Sequence, residues 1–134
     1  MVELSEVVAM VIEDDRLNAT LIKKMLLMAG VGEVSVCLSG FDTRKVAPDL
    51  PPVDLVLLDL QLPDEDGFQI LVYLRTLPNM QNARYVAVTA NVLASYLERA
   101  KAMNLDGFLG KPLKFDEFRK QIVSILEGRR VWDP

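Results

Sequence analysis

The sequence has 134 residues, a formal net charge of −4, and a hydrophobic fraction of 51%. This length predicts a single domain, residues 1–134, with its own core. The acidic balance disfavours direct nucleic-acid binding. Because no apolar stretch approaches ~18 residues and no basic-then-apolar leader begins the chain, we expect no membrane span and a cytoplasmic location. Histidine is absent, which excludes Ser-His triads and His-based zinc sites.

The chain begins with a predicted strand and helix. The apolar run 7–12 has the length of a buried strand and ends in the acids Glu13, Asp14 and Asp15. Asp15 is placed to cap the helix that follows. The spacing of apolar residues in that helix predicts an apolar face made of Leu17, Leu21, Met25 and Met28.

A second strand and a short helix lead to the third strand. The strand, around 33–38, contains the single cysteine, Cys37, which we interpret as a small core residue. The short helix lies near 41–46, and prolines stop it. The apolar run 53–58 then ends in Asp59, in front of a loop. Open α/β sheets bind ligands outside such strand ends, so Asp59 is a candidate nucleophile or metal ligand.

The second half of the chain continues the alternation of helices and strands. The predicted elements are a helix at 67–77, a strand at 84–89, a helix at 92–103, a strand at 107–110 and a helix at 114–127. The two strands end in a hydroxyl, Thr89, and an ammonium, Lys111. Five alternations predict parallel strands joined by right-handed crossovers, with helices on both faces.

The strand-end residues, taken in order, resemble those of a known family. Glu13-Asp14, Asp59, Thr89 and Lys111-Pro112 resemble the receiver domain of two-component response regulators, especially the stand-alone chemotaxis-type single-domain regulators. The likeness covers a core from about 7 to 127 and leaves a C-terminal tail, 128–134. It implies a flavodoxin-like doubly wound (βα)5 three-layer sandwich with a five-stranded parallel sheet in the order 2-1-3-4-5. In that order the first and third strands are neighbours, so their acids converge.

Converging carboxylates repel one another unless a cation relieves the repulsion. An all-oxygen site without His or Cys suits Mg²⁺. The resemblance implies that Asp14 and Asp59 are direct ligands, that the backbone carbonyl of Gln61 is a third, and that Glu13 acts through water.

The resemblance also implies roles in phosphoryl transfer. Asp59 would be phosphorylated by a sensor histidine kinase or a histidine phosphotransfer protein, with Lys111 and Thr89 contacting the phosphoryl group. Phe108 occupies the switch-aromatic position, although a packed core ring is the alternative. Pro112 resembles the family's cis proline. The chain would signal to a downstream protein target and would not be an enzyme in the ordinary sense.

Two glycines depart from the family pattern. Gly107 stands where many dimerising members carry an acid, so we expect a monomer or a weak dimer. Gly110 is smaller than the apolar residue expected there, which predicts a looser Lys111.

Other classes fit the residues less well. A Mg²⁺-dependent phosphatase of the haloacid dehalogenase type needs a second Asp two residues after the first, where Gln61 stands. A flavodoxin needs a phosphate-cradling loop where the acids 13–15 lie, and a calcium loop fails because Leu62 would be its first ligand. A non-phosphorylated pseudo-receiver that acts as a docking module stays open, as does a receiver that is part of a larger regulator.

Overall fold

The structure is a computed structural model that describes residues 2–134. Within that range the strands are β1 Val8–Ile12, β2 Glu33–Cys37, β3 Leu55–Leu58, β4 Arg84–Thr89, β5 Gly107–Gly110 and β6 Val131–Asp133. The α-helices are α1 Arg16–Ala29, α2 Gly40–Val46, α3 Gly67–Leu74, α4 Ala94–Ala102 and α5 Phe115–Leu126. Short 3-10 helices lie at Leu4–Glu6, Ala47–Asp49 and Pro78–Met80. No helix of this range has both the length and the apolarity to cross a bilayer.

The sheet is parallel throughout and has the order β2-β1-β3-β4-β5-β6. The predicted flavodoxin-like fold and the order of the first five strands are confirmed. The sixth strand extends the sheet beyond the prediction, which assigned its residues to a tail. β6 runs parallel to β5, with Phe108 opposite Trp132.

Two apolar layers cover the sheet. On one face, α1 and α5 contribute Ile22, Leu26, Phe118 and Ile122 to a cluster that includes the apolar side chains of the central strands. On the other face, the buried residues of α3 pack with Ala100 of α4 and with Phe108. Burial on both faces explains why the central strands read as continuous apolar runs rather than as alternating ones.

The apolar face predicted for α1 is wrong in part. Met25 is buried, but Leu17, Leu21 and Met28 are 78%, 52% and 61% exposed. The residues that α1 buries are Ala19, Ile22, Met25, Leu26 and Ala29. The helix carries two apolar stripes, and the stripe with smaller residues faces the sheet. Asp15 caps α1 as predicted, accepting the backbone N–H of Asn18 at 3.0 Å.

Candidate functional site

The backbone brings the predicted site residues to one edge of the sheet. The N–H of Asp59 donates to the carbonyl of Ile12 at 2.9 Å, which extends the pairing of β3 with β1 by one residue. The N–H of Lys111 donates to the carbonyl of Thr89 at 3.1 Å and does the same for β5 and β4. The side chains that follow four neighbouring strands therefore emerge at the same carboxyl-terminal edge.

Three carboxylates meet at this edge. One oxygen from each of Glu13, Asp14 and Asp59 lies within 4.8 Å of the other two. Glu13 is 1% exposed, Asp59 is 9% exposed and Asp14 is open to solvent. Oε2 of Glu13 is buried and has no hydrogen-bond partner in the chain. An orphaned oxygen beside two further carboxylates fits a divalent cation that prefers oxygen ligands, such as Mg²⁺.

Lys111 closes the cluster from the side of β5. Its Nζ lies 2.5 Å from Oε1 of Glu13 and 3.1 Å from Oδ2 of Asp59. The other oxygen of Asp59, Oδ1, accepts the backbone N–H of Gln61 at 2.9 Å. Asp59 is thus fixed by one donor on each oxygen. Both side chains of the Lys111–Asp59 pair keep some contact with solvent, at 18% and 11% exposure.

Burial and charge shift two ionisable groups of the cluster. Burial, together with hydrogen bonding and the charge of Asp59, raises the pKa of Glu13 to about 7 against the opposing effect of Lys111. For Lys111, burial lowers the pKa, but the hydrogen bonds to Glu13 and Asp59 outweigh it and leave the pKa raised. Lys111 is therefore charged at neutral pH. Glu13 takes up a proton readily unless a metal cation takes the place of that proton.

Thr89 is the last residue of β4, and Phe108 lies within β5, the strand that leads to Lys111. Thr89 is fully buried, and its Oγ1 accepts the backbone N–H of Asn91 at 3.1 Å. Phe108 is also fully buried, with its ring centroid 5.2 Å from that of Trp132. Sequence reasoning missed Trp132, because three residues of strand carry no usable periodicity. The predicted cis peptide bond before Pro112 is confirmed.

The loop after Asp59 is tied to α4. Asp66 caps α3 by accepting the N–H of Phe68 at 2.8 Å, and Arg99 of α4 donates to the same carboxylate at 3.1 Å. The guanidinium of Arg99 also lies over the ring of Phe68, 4.1 Å from its centroid. Arg99 is therefore engaged within the chain, although half of its side chain remains exposed.

A family model with the description response regulator receiver domain matches residues 9–123. The chain belongs to the response regulator receiver domain family. Receiver domains are signalling modules of two-component systems. The acidic cluster of this receiver domain consists of Glu13, Asp14 and Asp59. The match includes every predicted site residue, from Glu13 to Lys111.

Curated relatives come from both long and short proteins. The receiver is 30% identical over 122 residues to the signal transduction histidine-protein kinase BarA of Escherichia coli (strain K12), covering 91% of this chain but 13% of BarA. It is 27% identical over 117 residues to the polar-differentiation response regulator DivK of Brucella ovis, covering 87% of this chain and 94% of DivK. The family assignment therefore holds for both kinds of relative, the long kinase and the short response regulator.

A solved relative supports the metal assignment. The receiver domain of the sensor histidine kinase PA1611 from Pseudomonas aeruginosa PAO1 has a TM-score of 0.78 and 26% identity, with coverage of 90% of this chain and 98% of that one. That crystal structure has a magnesium ion coordinated in the active-site cleft. The cluster of Glu13, Asp14 and Asp59 is consistent with the same ion here.

Proposed function

We propose that this receiver accepts a phosphoryl group on Asp59 from the phosphohistidine of a sensor histidine kinase or a histidine phosphotransfer protein. The observation that carries the proposal is the Lys111 ammonium, 3.1 Å from Oδ2 of a carboxylate that two further acids surround. An Asp59 oxygen forms the new P–O bond as the P–N bond of the donor breaks, and the product is an acyl phosphate. In-line transfer of this kind depends on positioning and on neutralised charge.

The residues of the cluster divide this work. Asp14 and Asp59, with the carbonyl of Gln61, would hold Mg²⁺, and Glu13 would bind it through water. The ion would supply positive charge for the phosphoryl oxygens. Lys111 supplies positive charge from the other side and turns from Asp59 towards the incoming group. The Thr89 hydroxyl donates a hydrogen bond to a phosphoryl oxygen. The N–H of Gln61, which already contacts Oδ1, keeps the carboxylate in one orientation.

The exposed stripe of α1 is the surface proposed for the phosphoryl donor. Leu17 and Leu21 are exposed at the end of α1 that follows the acids of β1. A groove of about 330 Å³ separates this part of α1 from Lys111 and Leu113. A donor that seats an apolar surface there brings its phosphohistidine next to Asp59. The exposed leucines, which cost solubility if they have no partner, support this placement.

On the output side, we propose that the phosphoryl group acts through Thr89 and Phe108 on the face formed by α4, β5 and α5. The downstream protein target binds this face, near the exposed residues Ser95, Lys114 and Glu117. A phosphoryl group that draws Thr89 towards it vacates space into which the Phe108 ring turns. Phosphorylation therefore shifts the population of the ring towards its inward, buried position.

Treatment with acetyl phosphate and Mg²⁺ tests the acceptor. Intact-mass measurement of the wild-type chain should show the addition of one phosphoryl group. The adduct should be absent from Asp59→Asn and retained in the matched control Asp116→Asn, which changes an exposed acid in the first turn of α5. An equal adduct in Asp59→Asn would overturn the assignment, and no adduct in any chain would favour a docking module that is not phosphorylated.

A further inference from the structure

The C-terminal strand β6 contacts every element of the proposed output face. It pairs with β5 along the free edge of the sheet. The ammonium of Lys101, on α4, lies 5.4 Å from the centroid of the Trp132 ring. Gln121, on α5, donates from Nε2 to Oδ2 of Asp133 at 2.8 Å. A protein that binds this face therefore meets β6 and not the bare edge of β5.

The sequence of β5 leaves room for this strand. A β-carbon on Gly110 would lie 2.6 Å from the carbonyl carbon of Pro134, closer than side chains approach a backbone. A β-carbon on Gly107 would lie 3.3 Å from the carbonyl oxygen of Val131 and 2.8 Å from Cδ1 of Ile125. Gly110 thus coincides with the close approach of the C-terminal residues, whereas a side chain at Gly107 would meet Ile125 of α5 before it met β6. Lys111, which Gly110 was predicted to loosen, keeps two carboxylate partners.

Trp132 restricts the ring of Phe108. The two rings lie at 36° to each other, and Phe108 has no exposed surface beneath this contact. In the register of the sheet, Ala87 of β4 lies on one side of Phe108 and Trp132 on the other. While β6 is docked, the Phe108 ring is held in its buried position, because the space towards the sheet edge is filled.

Phe108 is connected to the candidate site through its own strand. It precedes Lys111 by three residues, and Gly110 pairs with Thr89. The hydrogen bond from the N–H of Lys111 to the carbonyl of Thr89 completes a short path between the acidic cluster and β6. A shift of Thr89 or Lys111 therefore acts on the strand that carries Phe108.

We propose that β6 is a regulatory strand, and that its docking on β5 and the occupation of Asp59 by a phosphoryl group strengthen each other. Both stabilise the same buried position of Phe108, and linkage requires the effect to be reciprocal. This inference rests on the proposed function, in which the phosphoryl group favours the inward ring. The strand has only three residues, none of them fully buried, and its last residue, Asp133, is exposed. Local opening therefore costs little, and a ligand at Asp59 is able to bias it.

The single tryptophan makes the test direct, because Trp132 itself lies in β6. Beryllofluoride with Mg²⁺, a phosphoryl mimic, is added to the full chain while acrylamide quenching reports the exposure of Trp132 and NMR shifts at Gln61 and Thr89 report occupation of the site. Quenching should decrease as the site fills. In Trp132→Ala the mimic should bind about fivefold more weakly or worse, and Trp132→Phe, which keeps a ring, should recover most of the affinity.

Gln121→Ala provides a second variant, since it removes the Asp133 contact without altering either ring. It should weaken mimic binding in the same direction, whereas the control Lys120→Ala, exposed on the same helix, should not. Equal affinity in all variants, or tighter binding in Trp132→Ala, overturns the coupling and leaves the proposed function intact. If the wild-type chain fails to bind the mimic at all, both the proposed function and this inference are wrong.

Discussion

At the scale of residues, the site depends on how one lysine is shared among acids. Lys111 contacts Glu13 and Asp59, and Asp14 stands without a counter-charge at hydrogen-bond distance within residues 2–134. One ammonium leaves the cluster with excess negative charge, and this charge adds to burial, the larger cause, in raising the pKa of Glu13 to about 7. The excess is what a divalent cation would neutralise.

Glu13 should make stability depend on pH when no metal is present. Its pKa is about 7 in the folded chain and ordinarily 4.5, so the folded state binds the proton more tightly. The stability that this proton provides is complete at low pH and is lost as the pH rises through about 7. Between pH 5 and pH 8, in a chelating buffer, the wild-type free energy of unfolding should fall by about 1–2 kcal/mol more than that of Glu13→Gln. If the free energies of unfolding of the two chains, measured by urea denaturation, change by the same amount between pH 5 and pH 8, the prediction is wrong.

Lys111 should matter more for phosphoryl transfer than for folding. Lys111→Met removes the ammonium that contacts Asp59, and we expect the rate of phosphorylation by acetyl phosphate to fall about 100- to 1,000-fold, by analogy with the loss of one transition-state donor. Lys114→Met, an exposed lysine three residues later, should leave the rate unchanged. Equal rates for Lys111→Met and the wild type, followed by mass spectrometry over time, would remove Lys111 from the mechanism.

At the scale of elements, strand ends and helix caps were predictable, but the choice of buried face was not. The ends of β1 and β3 could be predicted because their apolar runs are long enough to specify buried strands. The acids follow directly where those runs end. α1 instead carries two apolar stripes, and its packing against α5 and the sheet decides which one is buried. β6 was not predicted because three residues are too few to show a periodic pattern.

The cap of α3 offers a test at this scale, because Asp66 joins the loop after Asp59 to α4. Asp66→Ala removes both the N-cap and the partner of Arg99, and it should destabilise the chain by about 1–2 kcal/mol. Arg99→Ala, which breaks only the exposed pair and its contact with Phe68, should cost less, about 0.5–1 kcal/mol. Chemical denaturation of both variants and of the double variant measures the coupling. A larger loss in Arg99→Ala than in Asp66→Ala would show that the cap contributes little.

At the scale of the whole molecule, a rigid parallel sheet holds a set of like charges that would otherwise separate. Apolar layers on both faces fix the strands, so the carboxylates at their ends remain within 4.8 Å of one another despite their repulsion. The strand order implied by the family resemblance predicted this convergence. The conformation of the cluster, with Lys111 bridging Glu13 and Asp59, required the structure, since either acid alone is a possible partner.

Mg²⁺ should therefore stabilise the entire fold. A ligand that binds only the folded chain raises the free energy of unfolding by about 2.7 kcal/mol at a concentration 100 times its Kd. Thermal unfolding should shift upwards with added Mg²⁺ in the wild type and shift little in Asp14→Ala. The control Asp15→Asn preserves a capping side chain on α1 and should respond like the wild type. An undiminished shift in Asp14→Ala would exclude this residue as a ligand.

Locating the phosphoryl group on the chain tests the proposed phosphorylation of Asp59 directly. After reaction with acetyl phosphate, borohydride reduction converts an acyl-phosphorylated aspartate into homoserine, which tandem mass spectrometry assigns to a position. Conversion is expected at Asp59 when Mg²⁺ is present, with little or none in a chelating buffer. Conversion at Asp14 or another acid, or equal conversion at Asp59 with and without Mg²⁺, would contradict this expectation.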